Sequence, residues 1–194
     1  MATSSVDICN QGVILIGDAG SITSFAEASR PAQVAAAQYR RIKETLLSKR
    51  NWKFASFWRP LNRLTTPPKA RWAYAFAVPP GAFRVYEVDG DFDYEILEGG
   101  KQLHCDEPEV MGLCLMNVVE AYFPAFFETV LVERMAGVFG VGVLGKPDIA
   151  RYWNNEAAGH LLEAEFLDDS MDPPDAPRMN ELTRMRSAGG GILI

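Results

Sequence analysis

Residues 124–140, with the sequence PAFFETVLVERMAGVFG, decide the fold of this chain. Phe127, Val130 and Leu131 recur at helical spacing, and apolar side chains occupy almost every side of the segment. A helix that is apolar all round is buried among other elements, because its faces would otherwise expose apolar surface to water. The sequence therefore predicts a central helix that begins at the proline of this stretch.

Two helices are predicted before this central one, within residues 5–50. In the first, Ser5 is the expected N-cap, and Gly12 either permits close helix packing or makes the helix irregular. The second follows Ser29 and has Pro31 in its first turn, where the missing N–H costs nothing. Its inner positions are Ala35, Tyr39, Ile42 and Leu46.

A second late helix completes residues 124–169. It begins after Pro147 and is amphipathic, so one side should face the central helix. The predicted inner side comprises Ile149, either Tyr152 or Trp153, Ala157, Leu161 and Ala164.

Residues 52–118 have a different pattern, with short apolar or alternating runs separated by proline and glycine. Strands are predicted at residues 72–78 and 83–88, on either side of a PPGA turn, and at residues 112–118. The segments DYEIL and KQLHC flank Glu98-Gly99-Gly100, where glycines accept the positive φ angles of a hairpin connection. The prediction is an α+β fold: a helical bundle of two early and two late helices, with an inserted small antiparallel β region.

The remaining residues, 170–194, contain three prolines, three arginines and no sustained periodicity. We interpret them as an extended C-terminal arm on a single domain of residues 1–169. A length of 194 residues suffices for one good core and hardly for two full domains.

Composition excludes several classes of protein. A hydrophobic content of 48% excludes wholesale disorder, and no apolar run approaches the roughly 20 residues of a membrane helix. Without a secretion signal, the chain is expected to fold in the cytoplasm and to make no membrane contact. A net charge of −6 argues against a protein whose main task is to grip phosphates. The widely spaced Cys9, Cys105 and Cys114 predict buried thiols and no disulfide framework.

No catalytic, metal or cofactor motif is complete. The aspartates of residues 89–93 resemble the start of a calcium loop, but Tyr94 and Gly100 occupy the positions that require glycine and a bidentate glutamate. His104, Cys105 and Cys114 lack a fourth zinc ligand even if neighbouring strands bring them together. We therefore predict no catalytic residue, no metal and no cofactor.

Three segments share the order of a known family. They are DICNQGVILIGDAGSITSF at residues 7–25, LLSKRNWKFASFWRPL at residues 46–61, and VDGDFDYEILEGGKQL at residues 88–103. The recurring features are Ile16-Gly17, Ile22-Thr23-Ser24 and Trp52-Lys53-Phe54. This order resembles the tail tubular protein A family of short-tailed bacteriophages, which are head-to-tail adaptor, or gatekeeper, proteins. The resemblance covers roughly residues 6–166 as a series of features, none of which is specific alone.

The resemblance implies a structural virion protein in the phage neck. Such adaptors form a dodecameric ring beneath the portal protein of the capsid and pass the channel on to a tail nozzle protein. Double-stranded DNA crosses the ring without specific binding, and tail fibre proteins attach at about the same level.

Two sets of residues are predicted to make these contacts. In the arm, Arg178, Arg184 and Arg186 would meet polar rims of the portal, and Ile192, Leu193 and Ile194 would enter an apolar slot after the glycines. In the aromatic run, Trp52, Phe54, Trp58 and Trp72 would form a subunit or nozzle interface. The alternatives are a disordered tail for the first set and ordinary packing of sheet against helices for the second.

Two other functions remain open from the residues alone. One is another head-completion or tail component of the virion without portal contact. The other, from a different class, is a small intracellular enzyme whose site is assembled from scattered residues.

Overall fold

The computed structural model of the chain describes residues 4–66, 68 and 71–171. In this part the fold is α+β, with four α-helices and two small antiparallel sheets. In chain order the elements are α1 Ser5–Leu15, α2 Arg30–Ser48, β1 Ser56–Pro60, β2 Asn62–Arg63, β3 Tyr74–Ala77, β4 Ala82–Val88, β5 Tyr94–Leu97, β6 Gln102–Cys105, β7 Met111–Met116, α3 Ala125–Gly142 and α4 Pro147–Asp169.

Helix α3 lies at the centre of the helical part, as the sequence predicted. It packs against α1, α2 and α4. Phe127, Leu131, Met135 and Phe139 are fully buried along its length. Because three other helices cover most of its surface, apolar residues occupy most of its sides.

Helix α1 is held closely against α3 at Gly12. A Cβ atom at this position would lie 3.2 Å from the backbone nitrogen of Ala136 and from the carbonyl oxygen of Val132. Of the two sequence explanations for this glycine, close helix packing is confirmed. The N-cap is Ser4 and not Ser5, because the Ser4 and Asp7 side chains exchange hydrogen bonds with each other's backbone N–H groups.

Helices α2 and α4 begin where their sequences predicted. Ser29 caps α2, and Pro147 stands in the first turn of α4. On α4, Trp153 packs against the core while Tyr152 is 55% exposed, which resolves the alternative left open at this position.

The β region lies between α2 and α3 in the chain and forms two sheets. Their strand orders are β1–β7–β4 and β2–β3–β6–β5. The predicted hairpin is confirmed, since β5 pairs with β6 and Gly99 and Gly100 both have positive φ. Strands β3 and β4 also form, but they belong to different sheets, so the PPGA turn joins the sheets and does not make a hairpin. Strands β1 and β2 were not predicted.

Two groups of buried side chains hold these parts together. The larger core contains side chains from all four helices. It also contains Trp52, which precedes β1, and Leu115 of β7. The smaller core lies in the β region and contains Leu61, Phe76, Val85, Leu103, Cys105, Val110 and Cys114. Helix α4 ends at Asp169, next to the predicted boundary of the arm, and residues 172–194 lie outside the described residues.

Candidate interaction surfaces

Trp52 is a core residue and offers no surface to a second chain. It is fully buried, its Nε1 donates a hydrogen bond to the carbonyl oxygen of Leu46 at 2.9 Å, and its ring centroid lies 5.2 Å from that of Phe127. Phe54 is half-buried against Phe123 and Phe127. The predicted interface is therefore wrong for Trp52, because the aromatic run joins the β region to α3.

Trp72 is also excluded as a contact residue. It is 6% exposed, and its Nε1 donates to Glu95 Oε2 at 3.0 Å. The guanidinium of Arg71 lies 4.4 Å from its ring centroid. These contacts satisfy the indole within the β region, so the predicted interface role does not hold for this side chain either.

Trp58 keeps the role that the sequence gave it as a candidate. It lies on β1, at the edge of the three-stranded sheet, and is 44% exposed. Met111 on β7 is exposed as well. Trp58 pairs with Leu113 of β7, and Met111 lies two residues from Leu113 on the same strand. Residues two apart on a strand share a face, so an apolar patch remains at this sheet.

The predicted portal-binding residues cannot be placed. Arg178, Arg184, Arg186, Ile192, Leu193 and Ile194 all lie outside the described residues. Their role stays a prediction.

The outer side of α4 carries an apolar stripe that the sequence reading missed. Leu162 is 68% exposed and Phe166 is 73% exposed, and Leu167 and Met171 are exposed beside them. Leu161 and Ala164 face the core, so the helix has large apolar residues on both sides. A helix with a single apolar side rarely has two large apolar residues next to each other. The adjacent pairs Leu161-Leu162 and Phe166-Leu167 were therefore the signal in the sequence for this second apolar side.

A groove runs between α2 and α4, with α3 as its floor. Two connected hollows of about 510 Å³ and about 410 Å³ share Gln38, Val138 and Asn154 among their lining residues. The floor includes Val141, which is 55% exposed although the rest of α3 is mostly buried. The groove therefore exposes an apolar part of the central helix.

Glu133 of α3 lies beside His160 of α4 at the edge of the helical core. His160 Nδ1 lies 2.7 Å from Glu133 Oε1, and Glu133 is 5% exposed. The hydrogen bond and then the charge of Glu133 raise the pKa of His160. The pair links α3 to α4.

A second polar cluster ties the turn before α3 to α2. Glu120 Oε1 accepts hydrogen bonds from Tyr39 Oη at 2.9 Å and Lys43 Nζ at 3.1 Å. Burial alone would raise the pKa of Glu120, but hydrogen bonds from its own backbone, Lys43 and Tyr39 outweigh burial and lower it. The cluster is structural, because all three groups are already paired with one another.

The three cysteines are free and buried, as predicted. Burial, followed by the charge of Glu120, raises the pKa of the Cys9 thiol to about 12, so this thiol stays protonated near neutral pH. Cys105 and Cys114 belong to different sheets. Within the described ranges, no group of three or more His, Cys, Asp or Glu side chains could hold a metal ion.

No family model matches this sequence, and neither does any curated protein. Among the helices that the structure describes, none has the length and apolarity needed to cross a bilayer.

Proposed function

We propose that this chain is a structural subunit of a bacteriophage virion, a head-to-tail adaptor of the tail tubular protein A type. The observation that carries the proposal is the order of elements: two helices, a β region of two small sheets, and two further helices. This is the order that the resemblance implies over roughly residues 6–166. The proposal places the protein in the virion neck, after assembly in the host cytoplasm.

In this proposal the four helices form a rigid bundle and the β region is a separate contact module. A ring subunit needs two different surfaces, because each copy contacts one neighbour on either side. The exposed apolar stripe of α4, the α2–α4 groove and the exposed patch around Trp58 are available for such contacts. Twelve copies would make the dodecameric ring.

The charge of the chain suits a channel for DNA. A net charge of −6 is repeated in every subunit of a ring. Double-stranded DNA would then meet a repulsive wall and pass without specific binding. The portal protein above and the tail nozzle protein below are the proposed partners, and tail fibre proteins are proposed at the same level.

The residues from 170 onward are proposed to join the ring to the portal. Arg178, Arg184 and Arg186 would meet polar rims, and Ile192, Leu193 and Ile194 would bury apolar side chains in a portal slot. Ordering such a segment costs conformational entropy, which the contact has to exceed. Repetition around a ring multiplies a weak contact through effective concentration.

The test uses the purified chain and portal rings of the phage that encodes it. Negative-stain microscopy should show a collar on the portal ring after mixing. A variant lacking residues 187–194 should have the wild-type circular dichroism spectrum and no collar. Normal joining by this variant would refute the role of the arm. If the intact chain does not bind portal rings but is present elsewhere in the phage particle, it is another virion component, and the adaptor proposal is wrong.

A further inference from the structure

The α2–α4 groove has an unusual combination of charge and apolarity. It is lined by Arg30, Arg41, Lys49 and Arg134, and no residue lining either hollow in the described part of the chain is acidic. Between these cations the floor is apolar, with Val138 and Val141. A groove of this kind suits an apolar helix that carries acidic side chains.

Most of α4 carries charge of the opposite sign and an exposed apolar stripe. Residues 152–169 contain no lysine or arginine. Of their five acidic residues, Asp168 is buried and Asp169 pairs with Arg50, whereas Glu156 and Glu163 are exposed. Asn155, Gly159, Leu162 and Phe166 are all exposed and follow one another at helical spacing, which makes one stripe along the helix. We refer to Leu162, Phe166 and the adjacent Glu163 as the α4 ridge.

The ridge and the groove lie on different sides of one molecule. Asn154 of α4 lines the groove, whereas Leu162 and Phe166 line neither of its hollows. One copy therefore cannot fill its own groove with its own ridge. A second copy can, and it then presents its own open groove to a third copy.

We propose that the α4 ridge of one copy docks into the α2–α4 groove of the next copy, and that this contact closes the ring. The inference rests on the proposed function, because a head-to-tail contact that repeats by rotation makes a ring. It adds the surfaces: Leu162 and Phe166 cover Val138 and Val141, and Glu163 lies among the groove cations.

The charge of the remaining chain favours a second copy over the arm as the occupant. Residues 172–194 contain three acidic residues and three arginines, which sum to no net charge. The ridge is acidic and apolar, so it matches the groove in both respects.

The test is cross-linking between two cysteine variants of the full chain. Phe166→Cys places a thiol on the ridge, and Val141→Cys places one in the groove. The native Cys9, Cys105 and Cys114 are buried, so they contribute little background. One variant carries an affinity tag, so that a mixed dimer is distinguished by mass after treatment with a short bis-maleimide.

We expect the mixed dimer to form several-fold more than when Ile96→Cys replaces Val141→Cys. Ile96 is the matched control because it is exposed on β5, outside the groove. Adding Glu163→Lys to the ridge variant should lower the yield, and adding Arg41→Glu to the groove variant should then restore part of it.

Two results would overturn the proposal. One is a mixed dimer no more abundant than with the Ile96→Cys control. The other is an efficient cross-link within one chain that carries both Val141→Cys and Ile194→Cys, since the arm would then occupy the groove. The experiment contains no portal protein, so failure of portal binding leaves its outcome unchanged.

Discussion

Replacing Gly12 with alanine tests how closely α1 approaches α3. In a helix interior, glycine is less favourable than alanine by about 1 kcal/mol, so the substitution stabilises an unobstructed helix. At Gly12 the added Cβ would lie 3.2 Å from Met135 Cβ and from two backbone atoms of α3. Backbone atoms cannot rotate away as a side chain does, and forced shifts of packed elements cost about 1–3 kcal/mol. We expect Gly12→Ala to lower the free energy of unfolding by about 1 kcal/mol.

Gly159→Ala is the matched control on α4. This glycine is also inside a helix, but a Cβ added there meets nothing within 4 Å. The helix-propensity gain is therefore unopposed, and the variant should be more stable by up to about 1 kcal/mol. Because the propensity contribution is common to both variants, their difference of about 1–3 kcal/mol measures the α1–α3 contact alone.

Urea unfolding followed by circular dichroism gives both values, at protein concentrations low enough to prevent self-association. Equal stabilisation by the two alanines would contradict the close approach of α1 to α3. An unchanged Gly159→Ala variant would instead show that the propensity gain is absent in α4, and the comparison would then rest on Gly12 against wild type.

Four further substitutions test the polar clusters and the aromatic assignments by the same unfolding measurement. Glu120→Gln should cost about 1–3 kcal/mol at neutral pH, because the buried Tyr39 and the partly buried Lys43 lose their charged partner. Because the pKa of Glu120 is lowered in the folded protein, its stabilising effect is lost as the pH falls through that pKa. The free energies of unfolding of the variant and the wild type should therefore converge in acid. A difference that stays constant with pH would contradict the role of Glu120. His160→Asn should be less stable than wild type below pH 6.5, and its free energy of unfolding should approach the wild-type value as the pH rises through the raised pKa of His160. A difference in free energy that grows at alkaline pH would contradict the pairing with Glu133. Trp52→Ala should cost about 3–5 kcal/mol and Trp58→Ala less than about 1 kcal/mol, and equal costs would contradict the difference in their burial.

Local signals in the sequence predicted the helices and the hairpin. Ser29 and Pro31 mark the start of α2 through interactions within one helical turn. The glycines between β5 and β6 specify their turn in the same local way. The all-round apolar pattern of α3 predicted its central position, because burial on several sides leaves no polar side to read.

The arrangement of the strands could not be predicted, because it depends on contacts between distant parts of the chain. Strand β1 pairs with β7, so Ser56 lies opposite Leu115. Strands β3 and β4 are neighbours in sequence and yet pair with β6 and β7 respectively. A short apolar run contains no information on which distant strand it will pair with.

Some features of the candidate surfaces could likewise be predicted from local sequence, and others depend on contacts between distant parts of the chain. Trp52, Trp58 and Trp72 are alike as aromatic residues in one region of sequence, and only their contacts distinguish buried from exposed. The α2–α4 groove combines α2 with the distant α3 and α4, so no single segment predicts it. The exposed apolar pair Leu162 and Phe166 was visible in sequence as a surplus beyond the inner side of α4.

An electron cryo-microscopy map of the neck of the phage particle tests the adaptor proposal most directly. We expect twelve copies of this fold in a ring coaxial with the portal, with residues 187–194 in contact with the portal and each α4 ridge in a neighbour's groove. Absence of the fold from the neck, or residues 187–194 folded back on their own helices, would contradict it.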